Sequence, residues 1–364
     1  MFSGSYLPED VTFLLKVIDI PTTDIRAKER LIQNGTRHYS EMISREYPPS
    51  AQYLELFHQA CKQNNARFAA NLVTLARNIA ESTPGEITLV SLARAGTPVG
   101  VLLNRIIREY LHRDVSHYSI SIIRDRGIDE IALRHILQND GHTASSIFFI
   151  DGWTGKGVIA QELATAITGF NQKLGTTISP ALYVVADLSG TAGVAATSDD
   201  YLIPSSILNS VISGLISRSI LNAEYIDTTD FHGCLYYQEF NDIDLSRNFV
   251  DAVMKEVQQL PQERWTEKCH VVSTDEQHEL HKQSKAFINQ MKEAYNISSI
   301  HHIKPGIGEA TRVLLRRVPD RLLVRDAAAV EVAHLIQLAD EKKIPCEEIP
   351  SLAYSASAII HEMD

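Results

Sequence analysis

The sequence predicts an α/β protein: a mostly parallel sheet with helices on both faces, followed by a small second α/β unit. Three observations predict it. Between residues 85 and 220, short apolar runs alternate with stretches of helical periodicity. The runs end in charged or glycine-bearing turns, as parallel strands do before their crossover helices. Past residue 270 the composition turns Lys- and Glu-rich, and a new strand–turn–helix pattern begins.

The elements follow in order. Residues 1–50 are mixed, with turn signals at Pro21-Thr22-Thr23 and Asn34-Gly35. Residues 51–82 read as one long helix, because Tyr53, Phe57, Cys61, Phe68, Leu72, Leu75 and Ile79 recur at helical spacing. Pro84-Gly85 stops it. Strands are expected at 87–92, 118–123, 147–150 and 181–186, and helices at 97–110, 130–137 and 158–167. The apolar stretch 207–220 also reads as a helix. Residues 274–295 form a polar helix, taken as a connector. This divides the chain into 1–270, a connector 271–296, and a compact unit 297–364.

At 364 residues the chain has room for two or three domains. A net charge of −11 argues against a dedicated nucleic-acid binder overall and leaves room for a local basic patch. Cys61, Cys234, Cys269 and Cys346 form no CxxC pair and suit reduced thiols. The N-terminus has no signal-peptide pattern and no run is long enough to span a bilayer. The expectation is a cytoplasmic protein with no membrane partner.

The most informative stretch is Ser146-Ile-Phe-Phe-Ile150-Asp151-Gly-Trp-Thr154-Gly155-Lys156-Gly157. An apolar strand ends in an acid, and a glycine loop opens a helix. Bare backbone N–H groups and the positive end of a helix then meet at one point, which suits phosphate. The plainer reading is a tight turn whose glycines serve geometry only. It is not a P-loop, since no Ser or Thr follows Lys156. The other strand ends carry Arg94-Ala95-Gly96, Arg124-Asp125-Arg126-Gly127 and Asp187-Leu-Ser-Gly190. Cys269, His270, His278 and His281 fit no standard zinc spacing.

This set of strand ends resembles the phosphoribosyltransferase fold. The resemblance implies that Thr154, Gly155, Lys156 and Gly157 hold the 5′-phosphate of phosphoribosyl diphosphate or a related ribose-phosphate. It implies that Arg94, Ala95 and Gly96 line a pyrophosphate site, with Arg124 and Arg126 closing over it. Asp151, Asp187 and Arg124 would be catalytic, and Asp151 would face the ribose hydroxyls or a Mg²⁺ ion. The usual motif has two adjacent acids where this chain has Asp151 alone.

A closer resemblance covers nearly the whole chain. Tyr6-Leu-Pro8-Glu-Asp10-Val, His38-Tyr39-Ser40-Glu41-Met42, the Asp151–Gly157 stretch and Asp230-Phe-His-Gly-Cys234 are similar to a bacterial family of tellurite-resistance and stress loci. That family pairs a phosphoribosyltransferase-like domain with a C-terminal Pelota-type RNA-binding domain. It also carries the label of StiP-type cysteine proteases, for which Cys234 with His232 or His38 would be the candidates. A non-catalytic phosphometabolite sensor is a third possibility.

In the C-terminal unit, Gly306-Ile-Gly308-Glu309-Ala-Thr-Arg312 reads as a glycine turn opening an Arg-rich helix. Residues 304–326 carry six basic and three acidic side chains, a local +3 in an acidic chain. Together with Ile344-Pro345 the segment resembles the Pelota/L7Ae type, with Gly308 in place of its Asn and Arg312 in place of its Lys. This implies structured RNA as partner, held by Lys304, Gly306, Gly308, Glu309, Arg312 and Arg316.

Overall fold

A computed structural model describes residues 1–360, apart from the side chains of Glu29 and Gln33. The last four residues of the 297–364 unit therefore lie outside the described residues. The first fifty residues wrap the core. They contribute two short strands, Thr12–Phe13 (β1) and Lys16–Val17 (β2), and the helix Ile25–Gln33 (α1). Two residues of the Tyr6–Asp10 motif pin this wrap. The Tyr6 hydroxyl donates to the Ile212 carbonyl at 3.0 Å. Asp10, fully buried, accepts from both Nε and Nη2 of Arg105 at 2.7 and 2.6 Å.

The long helix Ala51–Ser82 (α2) forms where the periodicity places it, capped by the Ser50 hydroxyl. Then come Ile87–Ala93 (β3), Thr97–Glu109 (α3), Val115–Ile123 (β4), Gly127–Ile128 (β5) and Glu130–Arg134 (α4). Ile147–Thr154 (β6), Val158–Leu174 (α5), Leu182–Asp187 (β7) and Val194–Thr197 (β8) complete the sheet. Its order is β1–β4–β3–β6–β7–β8, all parallel, with β5 antiparallel on β4. Ile87–Leu92 is buried throughout, as a central parallel strand covered on both faces must be. The register sets Asp151 beside Val184 and Thr154 beside Asp187, so β6 and β7 end side by side.

The stretch 207–220 is not the expected α-helix. It forms a single short 3₁₀ turn, Ser210–Ile212, inside buried irregular chain. Gly214 and Leu215 both take positive φ, which ends any helix there. The Ser213 and Ser217 hydroxyls bond to nearby backbone, donating to the Asn209 and Arg218 carbonyls at 2.8 and 2.7 Å.

Gly233–Cys234 (β9) pairs in parallel with β2. Ser246–Gln258 (α6) and Glu263–Thr266 (α7) lead to Thr274–Ala294 (α8). Helix α8 docks closely on the β7–β8 loop: a Cβ on Gly190 would sit 1.9 Å from the Gln277 carbonyl oxygen. Its Phe287 and Met291 share a cluster with Leu188 of the first unit and Ile303 and Leu323 of the second. The second unit comprises Ile303–Pro305 (β10), Ile307–Arg316 (α9), Pro319–Val324 (β11), Ala333–Glu341 (α10), Cys346–Glu348 (β12) and Ala356–Ile360 (β13). Its sheet runs β10–β13–β11–β12. The apolar residues of α9, among them Ile307, Ala310 and Leu314, belong to the same core as Phe57, Leu202 and Ile207. The hydrophobic core is continuous across the seam.

Candidate ligand pocket at the domain seam

At the end of β6 the chain must turn sharply into α5. Gly157 makes the turn at φ +77°, and a Cβ there would fall 2.5 Å from Cγ2 of Thr191. Thr154 is buried and its hydroxyl donates to Asp187 Oδ1 at 2.5 Å, with Ser189 Oγ at 2.9 Å. Asp187 also accepts the amides of Ser189 and Ala192, both at 2.9 Å. Thr154 and Asp187 thus hold the two strand-end loops together.

The second unit closes over this edge. Lys156 Nζ donates to the carbonyls of Ile300 and Ile303 at 2.7 and 2.8 Å. The Tyr354 hydroxyl donates to the Gly155 carbonyl at 3.1 Å. Asp200, just past β8, accepts the amide of Ile307 at the start of α9 at 2.8 Å and that of Ser355 at 2.9 Å. Between the loop and the turn lies an open cavity of about 250 Å³. Asp151, Trp153 and Lys156 line it from one unit, and Lys304, Glu309 and Arg312 from the other.

Its electrostatics follow from burial and crowding. Burial, and then the nearby Lys304 ammonium, pull Lys156 down to about 7. Burial pushes the Asp151 carboxyl up to about 7, against the Gly152 amide and Arg312. Lys304 is lowered by burial. Burial alone would raise Glu309, but Arg312, Lys304 and Lys156 hold it below the usual carboxylate range. Arg312 pairs with Glu309 at 3.0 Å.

Several residues expected at the phosphate site lie elsewhere or are engaged. Ala95 lines the cavity. Arg94 turns away from it to Glu46 at 2.7 Å and the Ile216 carbonyl at 3.0 Å. Gly96 is needed for packing, since a Cβ there would fall 2.5 Å from the Ile150 carbonyl oxygen. Arg126 pairs with Glu41 at 3.1 Å, and Arg124 lies over the Tyr39 ring at 5.4 Å. Arg316 donates to Asn209 Oδ1 at 2.5 Å and to the Ile207 carbonyl, so it fastens the seam. Gly306 takes φ +90° beneath Leu188, and Gly308 packs on Trp153.

The thiols form a separate group. Cys234 is fully buried and its thiol is pushed up to about 12 by burial. His232 lies two residues away, its ring pKa lowered by burial. Its Nδ1 is in hydrogen-bond contact with Ser121 Oγ at 2.8 Å. His38 Nδ1 contacts Ser40 Oγ, also at 2.8 Å. Cys61, on α2, is raised to about 12 by burial. Cys269 and Cys346 are also raised by burial.

Residues 4–254 match the family described as tellurite-like stress resistance cysteine protease StiP. The chain belongs to the StiP family. Residues 282–362 match the PELOTA RNA binding domain, so the RNA-binding match begins inside α8 rather than after it. The chain is 43 % identical over 359 residues to Cysteine protease StiP of Acinetobacter baylyi (strain ATCC 33305 / BD413 / ADP1), covering 96 % of this chain and 91 % of that protein. Neither match supports phosphoribosyl transfer, and the StiP description fits the protease alternative.

The residues at Asp151 do not fit a protein-held Mg²⁺. The cavity's carboxyls are Asp151 and Glu309, set among Arg312, Lys156 and Lys304, and Glu309 is already paired with Arg312. Among the described residues no group of three or more His, Cys, Asp or Glu could hold a metal. None of the described helices is long and apolar enough to cross a membrane. The sequence reading missed Trp153 as a lining residue, although it stands inside the quoted stretch. It also missed Glu46, Asp200 and Tyr354, which belong to no motif.

Proposed function

We propose that this chain is a thiol peptidase with Cys234 as nucleophile and His232 as base. Support for the activity comes from the relative named a cysteine protease, 43 % identical across 96 % of the chain. Support for the residue comes from position. The StiP match contains two of the four cysteines, Cys61 and Cys234. Of the two, Cys234 has a histidine two residues away, on the same side of extended chain. The Lys16 and Ile18 amides donate to the carbonyls of His232 and Cys234, both at 2.9 Å, which fixes that register. In the reaction the thiol proton passes to the imidazole, and the thiolate attacks the peptide carbonyl to give a thioester. The proton then leaves on the departing amine, and water hydrolyses the thioester. Cys234 is fully buried and its thiol is pushed up to about 12, so the reaction requires the chain around it to open locally. His232 must also exchange Ser121 for Sγ. The test compares purified Cys234→Ser and Cys61→Ser proteins on an unfolded protein substrate. Cys234→Ser should abolish cleavage and Cys61→Ser should retain it. Retained cleavage by Cys234→Ser sinks the assignment.

A second reading is favoured by one observation: Lys156, Lys304 and Arg312 converge from two units on one cavity. The pocket then binds a phosphate-bearing ligand of the ribose-phosphate class. Binding is what these residues supply. Of the groups expected to catalyse phosphoribosyl transfer, Asp187 is engaged in holding loops, and Arg94, expected at the pyrophosphate, pairs with Glu46. Calorimetry with ribose 5-phosphate on wild type and Lys156→Ala is the test, and equal heats from the two proteins would end this reading.

A further inference from the structure

The residues expected to grip RNA do not lie on a free face of the second unit. Lys304, Glu309 and Arg312 line the seam cavity, opposite the strand-end loop of the first unit. A phosphate that touches Lys156 and Lys304 together must enter the seam. A cavity of about 250 Å³ is too small for a duplex or a kinked helical turn. It has the scale of one unstacked nucleotide.

Three features match such an occupant. The first is charge. Lys304 crowds Lys156, and Arg124 adds to the potential at both, with the Glu309 carboxylate offsetting part of it. This concentration of cations sits in a chain of net −11. The second is an aromatic surface. Trp153 lines the cavity and is backed by Gly308, where even an added Cβ would stand 3.8 Å from the indole. Bases of single strands stack on such rings whatever their sequence. The third is a bare backbone turn, Gly155–Gly157, at the start of α5, where phosphate is accepted without side chains.

We infer that the seam pocket is a single-nucleotide site for RNA, in which one nucleotide of a single strand sets its phosphate between Lys156 and Lys304 and its base on Trp153. This rests on the reading that the pocket binds phosphate. It goes further in naming the ligand, and it requires both units at once. RNA binding is then a property of the docked pair, and the 297–364 unit alone lacks half the site.

The test uses the full chain with Trp265→Phe, which leaves Trp153 as the sole tryptophan. Quenching of its fluorescence is followed with a ten-nucleotide single-stranded RNA, a hairpin of the same composition, adenosine 5′-monophosphate and ribose 5-phosphate. The single strand should quench Trp153 and bind about tenfold more tightly than the monophosphate. Lys156→Ala and Arg312→Gln, one from each unit, should each weaken it by about tenfold. The distal Arg325→Gln should change it less than twofold. A shallow log–log salt slope, about −0.7 for the one phosphate neutralised, is expected.

If ribose 5-phosphate binds and the single strand does not, the inference falls while the phosphate reading stands. If neither binds, both fall. A monophosphate that binds as tightly as RNA makes the ligand a metabolite and overturns the inference. RNA that binds without quenching Trp153, or that ignores Lys156→Ala, sits elsewhere on the second unit and also overturns it.

Discussion

Asp151 and Lys156 both titrate at about 7, and both change the pocket in the same direction. As pH falls through 7 the carboxyl loses its negative charge and the amine gains a positive one. The cavity therefore grows more cationic between pH 8 and 6, while a phosphate monoester, with a second pKa of about 6, keeps half or more of its second charge. Anion affinity should rise as pH falls. Each group is already half protonated near pH 7, so binding takes up at most about one proton there, and log affinity should change by up to roughly one unit per pH unit. Asp151→Asn removes one of the two groups and should flatten the slope by about half. A ribose 5-phosphate titration by calorimetry from pH 6 to 8 measures it, and a flat profile in the wild type would show that neither group faces the ligand. The sequence displayed this half of the pocket, because a strand ending in an acid and a glycine loop is a local pattern. It could not display the destination of Arg94. The guanidinium pairs with Glu46, which lies in irregular chain where no periodicity operates.

At the scale of elements, the parallel strands and long helices were readable because burial on one or both faces writes a period into the chain. The stretch 207–220 was not, because apolar residues in a buried irregular segment look like those of a helix until Gly214 and Leu215 take positive φ. Nor was the purpose of the Tyr6–Asp10 motif. It carried the family resemblance without a role, and in the structure Asp10 ties the N-terminal wrap to α3 through Arg105. That pair has an exposed outer end, since Arg105 also reaches Asp251 at 2.7 Å, while Asp10 itself is fully buried. Asp10→Ala would leave a guanidinium with 10 % side-chain exposure and one remaining, peripheral partner. Stability should drop by about 3–5 kcal/mol, as when one member of a buried pair is removed. Replacing both, as Asp10→Ala with Arg105→Met, should recover part of the loss. Urea melts of the three proteins decide it, and a double variant no better than the single would assign the cost to lost packing instead.

The whole molecule depends on how the second unit is fastened. Its α9 shares the core of the first unit, and its polar fastenings include Lys156 to two carbonyls, Tyr354 to Gly155, Arg316 to Asn209, Tyr53 to the Leu315 carbonyl, Gln52 to Glu341, and Asp200 to two amides. None of this is local in sequence, so a reading by periods found the main strands and helices outside 207–220 but could not bring the RNA-gripping turn against the first unit. Asp200 is the fastening that touches the pocket least while holding its far wall. One of its oxygens serves the first amide of α9, at the positive end of that helix, and the other serves Ser355 before β13. Asp200→Ala would leave two donors without their acceptor, at about 1–3 kcal/mol each where they stay buried. The expected result is a loosened seam around an intact first unit. Hydrogen exchange should quicken at the Ile307 and Ser355 amides and on α9, with the β3, β6 and β7 amides unchanged. Asp200→Asn keeps one acceptor and should fall between. Binding of the single-stranded RNA should weaken along the same series, although neither substitution removes a cation from the pocket. Uniform acceleration across both sheets would mean instead that the two units unfold as one, and the seam would then be no separable joint.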